Sequence, residues 1–331
     1  MTVPVHIITG FLGSGKTTLL NRLLASPDMA DSAVLINEFG ETAVDHLLVE
    51  NIDDDIVVLE SGCVCCSVRD DLAGALRTLW EKREQNLIPS FRRVILETTG
   101  IADPLPVCRQ IMTDELVTPY YCNGAIVTVV DGVYGDTNLD RHVESIRQVV
   151  VADHLVLTKI DLVNSQQLDL LEKRLQKLNP SASISHRDAV SGTGELFPGL
   201  SENRTRQDPE QWLTSMADMD PNTSTETGHD TRFGSFCIRW RQPMAWNDFT
   251  AWLEVLLLAR GEQILRIKGI INQKEETRPI FIQGVQHTVY APVKLESWPG
   301  EPRTELIFIT QDFSKEAVIN SIQDVLDVEC Q

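Results

Sequence analysis

The segment Gly10-Phe11-Leu12-Gly13-Ser14-Gly15-Lys16-Thr17 satisfies G-x-x-x-x-G-K-[ST] at every defined position, with Thr18 following. A loop of this kind needs a strand before it and a helix after it, and both are legible. Residues 3–9 form a short run rich in branched apolar side chains, as a buried parallel strand should. Residues 17–24 carry leucines at helical spacing. Strand, glycine loop and helix in this order present backbone N–H groups and the positive helix end to a phosphate chain. Gly13, Ser14, Gly15, Lys16, Thr17 and Thr18 are therefore the expected phosphate site. Lys16 is expected to reach the β- and γ-phosphates, and the Thr17 hydroxyl to ligate Mg2+. The alternative is a glycine-rich turn without a ligand.

Further apolar runs at 33–36, 56–59, 93–96, 125–130 and 154–157 alternate with helical patterns, clearest at 70–83 and 166–178. Alternation predicts an α/β fold of P-loop NTPase type, a mainly parallel sheet with helices on both faces. Its ligand site should lie beyond the carboxyl ends of the strands. Residues 215–231 are polar, turn-rich and without period, and read as a linker between domains at 1–214 and 232–331. The last hundred residues suggest strands at 233–240, 264–271, 280–283, 288–290 and 306–310, with helices at 246–258 and 315–326, a smaller α+β domain.

Two strand ends carry the chemistry of a nucleotide site. Thr158-Lys159-Ile160-Asp161 follows the run at 154–157. A carboxylate at Asp161 can accept from the N1–H and 2-amino group of guanine, and Lys159 can lay its stem along the base. The alternative is a turn in which Asp161 caps the helix beginning near Ser165. Glu97 ends another strand and Gly100 follows three residues later, an arrangement suited to holding Mg2+ through a water and sensing the γ-phosphate through the Gly100 N–H. The catalytic candidates are thus Lys16, Thr17 and Glu97. No glutamine follows Gly100 directly, so slow intrinsic hydrolysis is expected. Glu41 or Asp45, in a polar stretch with the position of a switch segment, is a candidate for metal or water; a solvated loop acid is the alternative.

Cys63, Cys65 and Cys66 place three thiols within four residues. Zinc favours tetrahedral sites in which thiolates are preferred donors. Three local thiolates with an open fourth position suit an ion that is to be passed on, whereas a redox pair would require a strained vicinal bridge. Cobalt fits the same donors. Cys108, Cys122, Cys237 and Cys330 are scattered and read as ordinary small residues.

The formal charge of −19 is uneven: residues 232–331 hold 11 Lys+Arg against 13 Asp+Glu, so nearly all the excess falls on residues 1–231. An acidic surface of this kind disfavours nucleic acid as a partner. No apolar run is long enough to span a bilayer, and the first residues lack an export pattern, so no membrane partner and a cytoplasmic location are expected.

The phosphate loop, Asn37-Glu38-Phe39-Gly40-Glu41, Gly62-Cys63-Val64-Cys65-Cys66, Glu97-Thr98-Thr99-Gly100-Ile101-Ala102-Asp103-Pro104 and Thr158-Lys159-Ile160-Asp161 stand in this order, and together they closely resemble the CobW/YjiA-type P-loop GTPases. The resemblance extends into Leu265-Arg266-Ile267-Lys268-Gly269 and Ile282-Gln283-Gly284-Val285, covering nearly the whole chain. It implies a GTPase that binds GTP and GDP with Mg2+, carries zinc or cobalt at its Cys-x-Cys-Cys motif and delivers the metal to a metalloprotein client. Three departures stand out: His229 is isolated where many relatives have a histidine-rich run, Ile36 stands where some have a carboxylate, and Thr158 replaces the asparagine of the usual guanine motif. Two other functions fit the same residues: a metal buffer or sensor with a structural nucleotide, and a GTPase that gates cobalt-cofactor loading of a client enzyme. The second domain, with Trp240, Trp246, Trp252 and Trp298, is expected either to bind a client or a second copy of this chain, or to use those rings as core.

Overall fold

The computed structural model describes residues 2–36, 48–53, 56–59, 64–67, 71–188, 190, 196–197, 225–226, 232–298 and 300–326. Two compact units emerge, one from residues 1–172 and 183–207 and the other from 173–182 and 208–331.

Through residue 186 the chain runs β1 (Val3–Thr9), α1 (Lys16–Leu24), β2 (Ser32–Ile36), β3 (Leu48–Asp53), β4 (Ile56–Leu59), β5 (Val64–Ser67), α2 (Leu72–Glu84), β6 (Arg93–Glu97), α3 (Pro104–Thr113), β7 (Tyr121–Asp131), α4 (Gly135–Arg141), α5 (Val143–Val151), β8 (His154–Thr158), α6 (Ser165–Leu178) and β9 (Ser183–His186), all in the first unit except α6 from residue 173 onward. The sheet order is β3-β4-β5-β2-β6-β1-β7-β8-β9. From β5 to β9 every pairing is parallel, while β4 runs antiparallel to both β3 and β5. Strand residues divide by parity, as the pleat requires. Val34, Ile36 and Ile95 join Leu19, Leu20 and Leu23 of α1 in one apolar cluster. Ala33, Leu35, Val94 and Leu96 join Leu76 and Leu79 of α2 in the other. Helices thus cover both faces, which is why these strands read as continuous apolar runs.

The second unit contains β10 (Thr225–Glu226), β11 (Phe233–Trp240), α7 (Trp246–Arg260), β12 (Ile264–Ile271), β13 (Ile280–Val285), β14 (Thr288–Val289), β15 (Val293–Lys294), β16 (Thr304–Gln311) and α8 (Lys315–Leu326). Its sheet is antiparallel, in the order β10-β11-β16-β12-β13-β14 with β15 on β13. Within the span read as a linker, Thr225–Glu226 pairs with β11; the remainder lies outside the described residues. Leu253 and Leu257 of α7 and Val318 and Ile322 of α8 pack on Ile238, Ile267 and Phe308 of one sheet face. Trp240 and Trp252 are buried there, so these two rings serve the core. Cys108 and Cys237 are buried thiols, and burial, reinforced by the Glu305 carboxylate, pushes Cys237 up to about 12. Such a thiol is inert at neutral pH.

Candidate nucleotide site

Backbone geometry at the turn from β1 into α1 explains the glycines. Gly10, Gly13 and Gly15 have φ of 143°, 71° and 96°, a region that side chains with a Cβ rarely adopt. A Cβ on Gly10 would also sit 2.2 Å from the Val129 carbonyl oxygen. Gly15 caps α1, whose first residue is Lys16, so that the free N–H groups of the first turn face the loop. Ser14 is buried, and its Oγ finds no hydrogen-bond partner among the described residues. An orphaned donor beside the free amides of a helix start fits a phosphate oxygen.

Two strands deliver the other candidates to this loop. Glu97, at the carboxyl end of β6, is in register with Ile8 of β1 and Ile36 of β2 and is fully buried. Its Oε1 accepts from Thr17 Oγ1 at 2.7 Å, so two hard oxygen donors meet at the start of α1. This donor set fits Mg2+. Thr98 behind it is anchored by a 2.8 Å bond from its Oγ1 to Thr9 Oγ1. Gly100 passes so close to the loop that a Cβ there would lie 2.7 Å from Leu12 Cα and N. Only a residue without a side chain fits this approach.

On the base side, Thr158 Oγ1 donates to Ser14 O at 2.6 Å, so the threonine that replaces asparagine still ties β8 to the phosphate loop. Lys159 has φ 54° and donates through Nζ to Gly13 O at 2.7 Å. Asp161 lies exposed in the one-turn helix Ile160–Leu162. It does not cap the next helix. Asn164 fills that position, accepting from Gln167 N at 2.9 Å while Gln167 Oε1 accepts from Asn164 N at 3.3 Å, a reciprocal capping pair. The carboxylate of Asp161 is thereby left to face solvent at the carboxyl end of the sheet.

Sequence reasoning missed the residues that hold these loops. Gln148 of α5 is buried and donates through Nε2 to Ala102 O at 2.9 Å and Gly100 O at 3.3 Å. Arg147 bonds Asp103 Oδ2 at 2.9 Å, while Asp103 Oδ1 caps α3 by accepting from Leu105 N at 3.0 Å. His142, at the start of α5, stacks on Phe11 of the phosphate loop with centroids 4.4 Å apart. Asp131 was missed as well, although a carboxylate ending the apolar run Val129-Val130-Asp131 is the signal that drew attention to Glu97.

Cys65 and Cys66 lie on β5, in register with Val34 and Leu35 of β2. Because β2 separates β5 from β6, the Ser67, Ile36 and Glu97 backbones stand in neighbouring rows, so β5 runs roughly 10 Å from β6 by ordinary strand spacing. Cys63, Glu41 and Asp45 lie outside the described residues, and among the described residues no group of three His, Cys, Asp or Glu side chains could hold a metal. No helix among them is long and apolar enough to cross a membrane.

Residues 4–186 match the family model for the CobW/HypB/UreG nucleotide-binding domain, and residues 233–326 match that of the cobalamin synthesis protein cobW C-terminal domain. The chain belongs to the CobW family. Among its relatives, the "Zinc chaperone YjiA" of Escherichia coli (strain K12) is 29% identical over 320 residues, covering 96% of each chain. The "Zinc chaperone CobW" of Sinorhizobium sp is 32% identical, again over 96% of each. The "Zinc-regulated GTPase metalloprotein activator 1" of Schizosaccharomyces pombe is 34% identical over 86% of this chain and 75% of its own. The crystal structure of the Zn(II)-bound YjiA GTPase from E. coli superposes with a TM-score of 0.71 at 26% identity, covering 98% of this chain and 99% of that one. The α/β P-loop architecture with a separate antiparallel C-terminal domain is thus that of the CobW family.

Proposed function

We propose that this CobW-family protein is a Mg2+-dependent GTPase that carries zinc, or cobalt, on Cys63, Cys65 and Cys66 and delivers it to a metalloprotein client. GTP binding would close the thiolate site and hydrolysis open it. The observation that carries the reading is the meeting of Thr17 and Glu97 at 2.7 Å beside the phosphate loop, in a sheet where the strand bearing Cys65 and Cys66 is only one strand removed from Glu97's. The names of the relatives, zinc chaperones and a zinc-regulated GTPase, support the cargo and the activity.

In this reading Gly13 to Thr18 cradle the phosphates and Lys16 neutralises the β- and γ-oxygens. Thr17, and Glu97 through a water, would hold a magnesium ion, which when bound would supply further charge neutralisation on the transferring phosphoryl group. Gly100 presents its N–H to the γ-phosphate, and Gln148 fixes that segment from behind through the Gly100 carbonyl. Asp161 and Lys159 read the guanine, with Glu41 an additional candidate at the metal or water. Slow intrinsic hydrolysis is expected, because no glutamine directly follows Gly100 to orient the attacking water. The protein works in the cytoplasm, with a GTPase domain at 1–214, a linker at 215–231 and a client-facing or self-associating domain at 232–331.

Zinc affinity measured by competition with a chromophoric chelator tests this reading, in Mg-GTP, in Mg-GDP and without nucleotide. Tighter zinc binding in Mg-GTP alone, abolished by Cys65→Ala, is the expected result. Equal affinity in all three states would refute gating and leave a metal buffer.

A further inference from the structure

We infer that Asp131 is a positioning residue for base recognition, a buried carboxylate that fixes Lys159 over the base site against the pull of the phosphates. The inference rests on the guanine reading of Lys159 and Asp161. Asp131 ends β7 and is 3% exposed. Both of its oxygens are committed. Oδ1 accepts from Val133 N at 2.8 Å and Tyr134 N at 3.1 Å, closing the turn into α4. Oδ2 accepts from Lys159 Nζ at 2.6 Å, and the same ammonium donates to Gly13 O at 2.7 Å. One carboxylate therefore joins the loops after β7 and β8 and, through Lys159, the phosphate loop. The junction is tight: Gly132 N donates to Thr158 O at 2.8 Å, and a Cβ on Gly132 would lie 2.8 Å from that oxygen.

The physical need for such a group follows from charge. A lysine beside a bound di- or triphosphate is drawn toward the phosphates, and its four-carbon stem has ample rotamer freedom to follow. The Gly13 carbonyl is neutral and holds the ammonium weakly, whereas a buried carboxylate makes a charge-assisted bond that competes with the phosphates. Lys159 also begins the one-turn helix that carries Asp161, with Leu162 N donating to Lys159 O at 3.1 Å. A lysine pinned by Asp131 thus sets both the surface under the base and the turn that reads its edge. Adenine offers Asp161 no matching donors, so it depends on this frame less than guanine does.

The test is competition of unlabelled GDP and ADP against a fluorescent GDP analogue, in the wild-type protein, Asp131→Asn, Lys159→Met and the double variant. The amide introduced by Asp131→Asn would keep an oxygen for the turn but lose the charge that holds Lys159. Asp131→Asn is expected to weaken GDP about tenfold, the lower end of what one charge-assisted hydrogen bond supplies, while ADP changes little, so that the GDP-to-ADP ratio falls. Lys159→Met, which also leaves the buried Asp131 carboxylate without its cation and is therefore compared at matched folded fraction from its unfolding midpoint, should lower the ratio likewise, and the double variant should add nothing to it. Equal losses for both nucleotides, additive losses in the double variant, or a Lys159→Met protein with wild-type selectivity would overturn the inference. A wild-type protein that does not prefer GDP to ADP would overturn the guanine reading itself, whereas a wild-type preference kept by Asp131→Asn would overturn only the role of Asp131.

Discussion

Two buried glutamates, one in each unit, stand in opposite surroundings. Glu305, in the antiparallel sheet, lies opposite Arg239 in the β11–β16 register. Its Oε1 accepts from Arg239 Nη2 at 2.7 Å and its Oε2 from Arg303 Nε at 2.9 Å. Both oxygens are thus bound to cations of the protein itself, on a strand flanked by β11 and β12. Glu97 sits instead at the carboxyl end of a parallel strand, where the chain leaves the sheet, and meets a hydroxyl at the first turn of a helix whose amides face a glycine loop. Burial alone therefore does not tell these two surroundings apart. The distinguishing feature is where the strand ends and what the carboxylate touches.

The comparison makes its largest prediction for stability. Glu305→Gln leaves two guanidinium groups without their counter-charge and should destabilise the second unit by about 3 kcal/mol, seen as a lowered midpoint in chemical denaturation. GTP turnover per folded molecule should not change. If turnover falls while stability holds, Glu305 belongs to a site and the contrast with Glu97 is wrong.

A second effect, negligible near neutral pH and growing on acidification, is confined to the first unit. His6 of β1 is buried, its Nδ1 accepts from Ala125 N at 2.9 Å, and burial, aided by Arg93, holds its pKa down to about 3. The unfolded chain binds a proton at His6 below its ordinary value of 6.5 while the folded chain does not. Stability should therefore fall as pH drops from 6.5 toward 3, with a slope approaching about 1.4 kcal/mol per pH unit from this group. Unfolding curves of wild type and His6→Gln across that window check the sign: the variant should lose less stability than wild type on acidification, and parallel losses would exclude His6 as the source.

The smallest effect lies on the base side. Asn164→Ala removes the capping pair of α6 and should cost about 1 kcal/mol in thermal or chemical unfolding, with guanine selectivity kept. Asp161→Ala should do the reverse, losing selectivity with little loss of stability. A stability loss for Asp161→Ala as large as that for Asn164→Ala would return Asp161 to a structural role.

These contrasts also explain how far the sequence could be read. The strand at Val3–Thr9, the phosphate loop and the strands and helices at Phe233–Trp240, Ile264–Ile271 and Lys315–Leu326 were legible because pattern and chemistry agreed locally. The run Ile56–Leu59 was legible as a strand but not as an antiparallel one, since an apolar run carries no direction. Val64–Ser67 read only as a thiol motif, because Cys65 and Cys66 drew attention to ligation and hid their membership of the sheet. Helices α3, α4 and α5 begin amid prolines, glycine and histidine that blur a helical start, so Arg147 and Gln148 could not be placed behind Gly100. Glu97 and Asp131 gave equal local signals, an acid closing an apolar strand. What separates them is a tertiary fact: one meets Thr17 and the other Lys159.

The central claim, that Glu97 acts in turnover while Glu305 only holds its sheet together, is tested most directly by Mg2+-dependent GTP turnover of Glu97→Gln, measured with its unfolding midpoint on the same samples. A fall in kcat of about 10² to 10³ with the midpoint near that of wild type is the predicted result. Turnover within a factor of two of wild type, or a loss that merely follows a lowered midpoint, would contradict it.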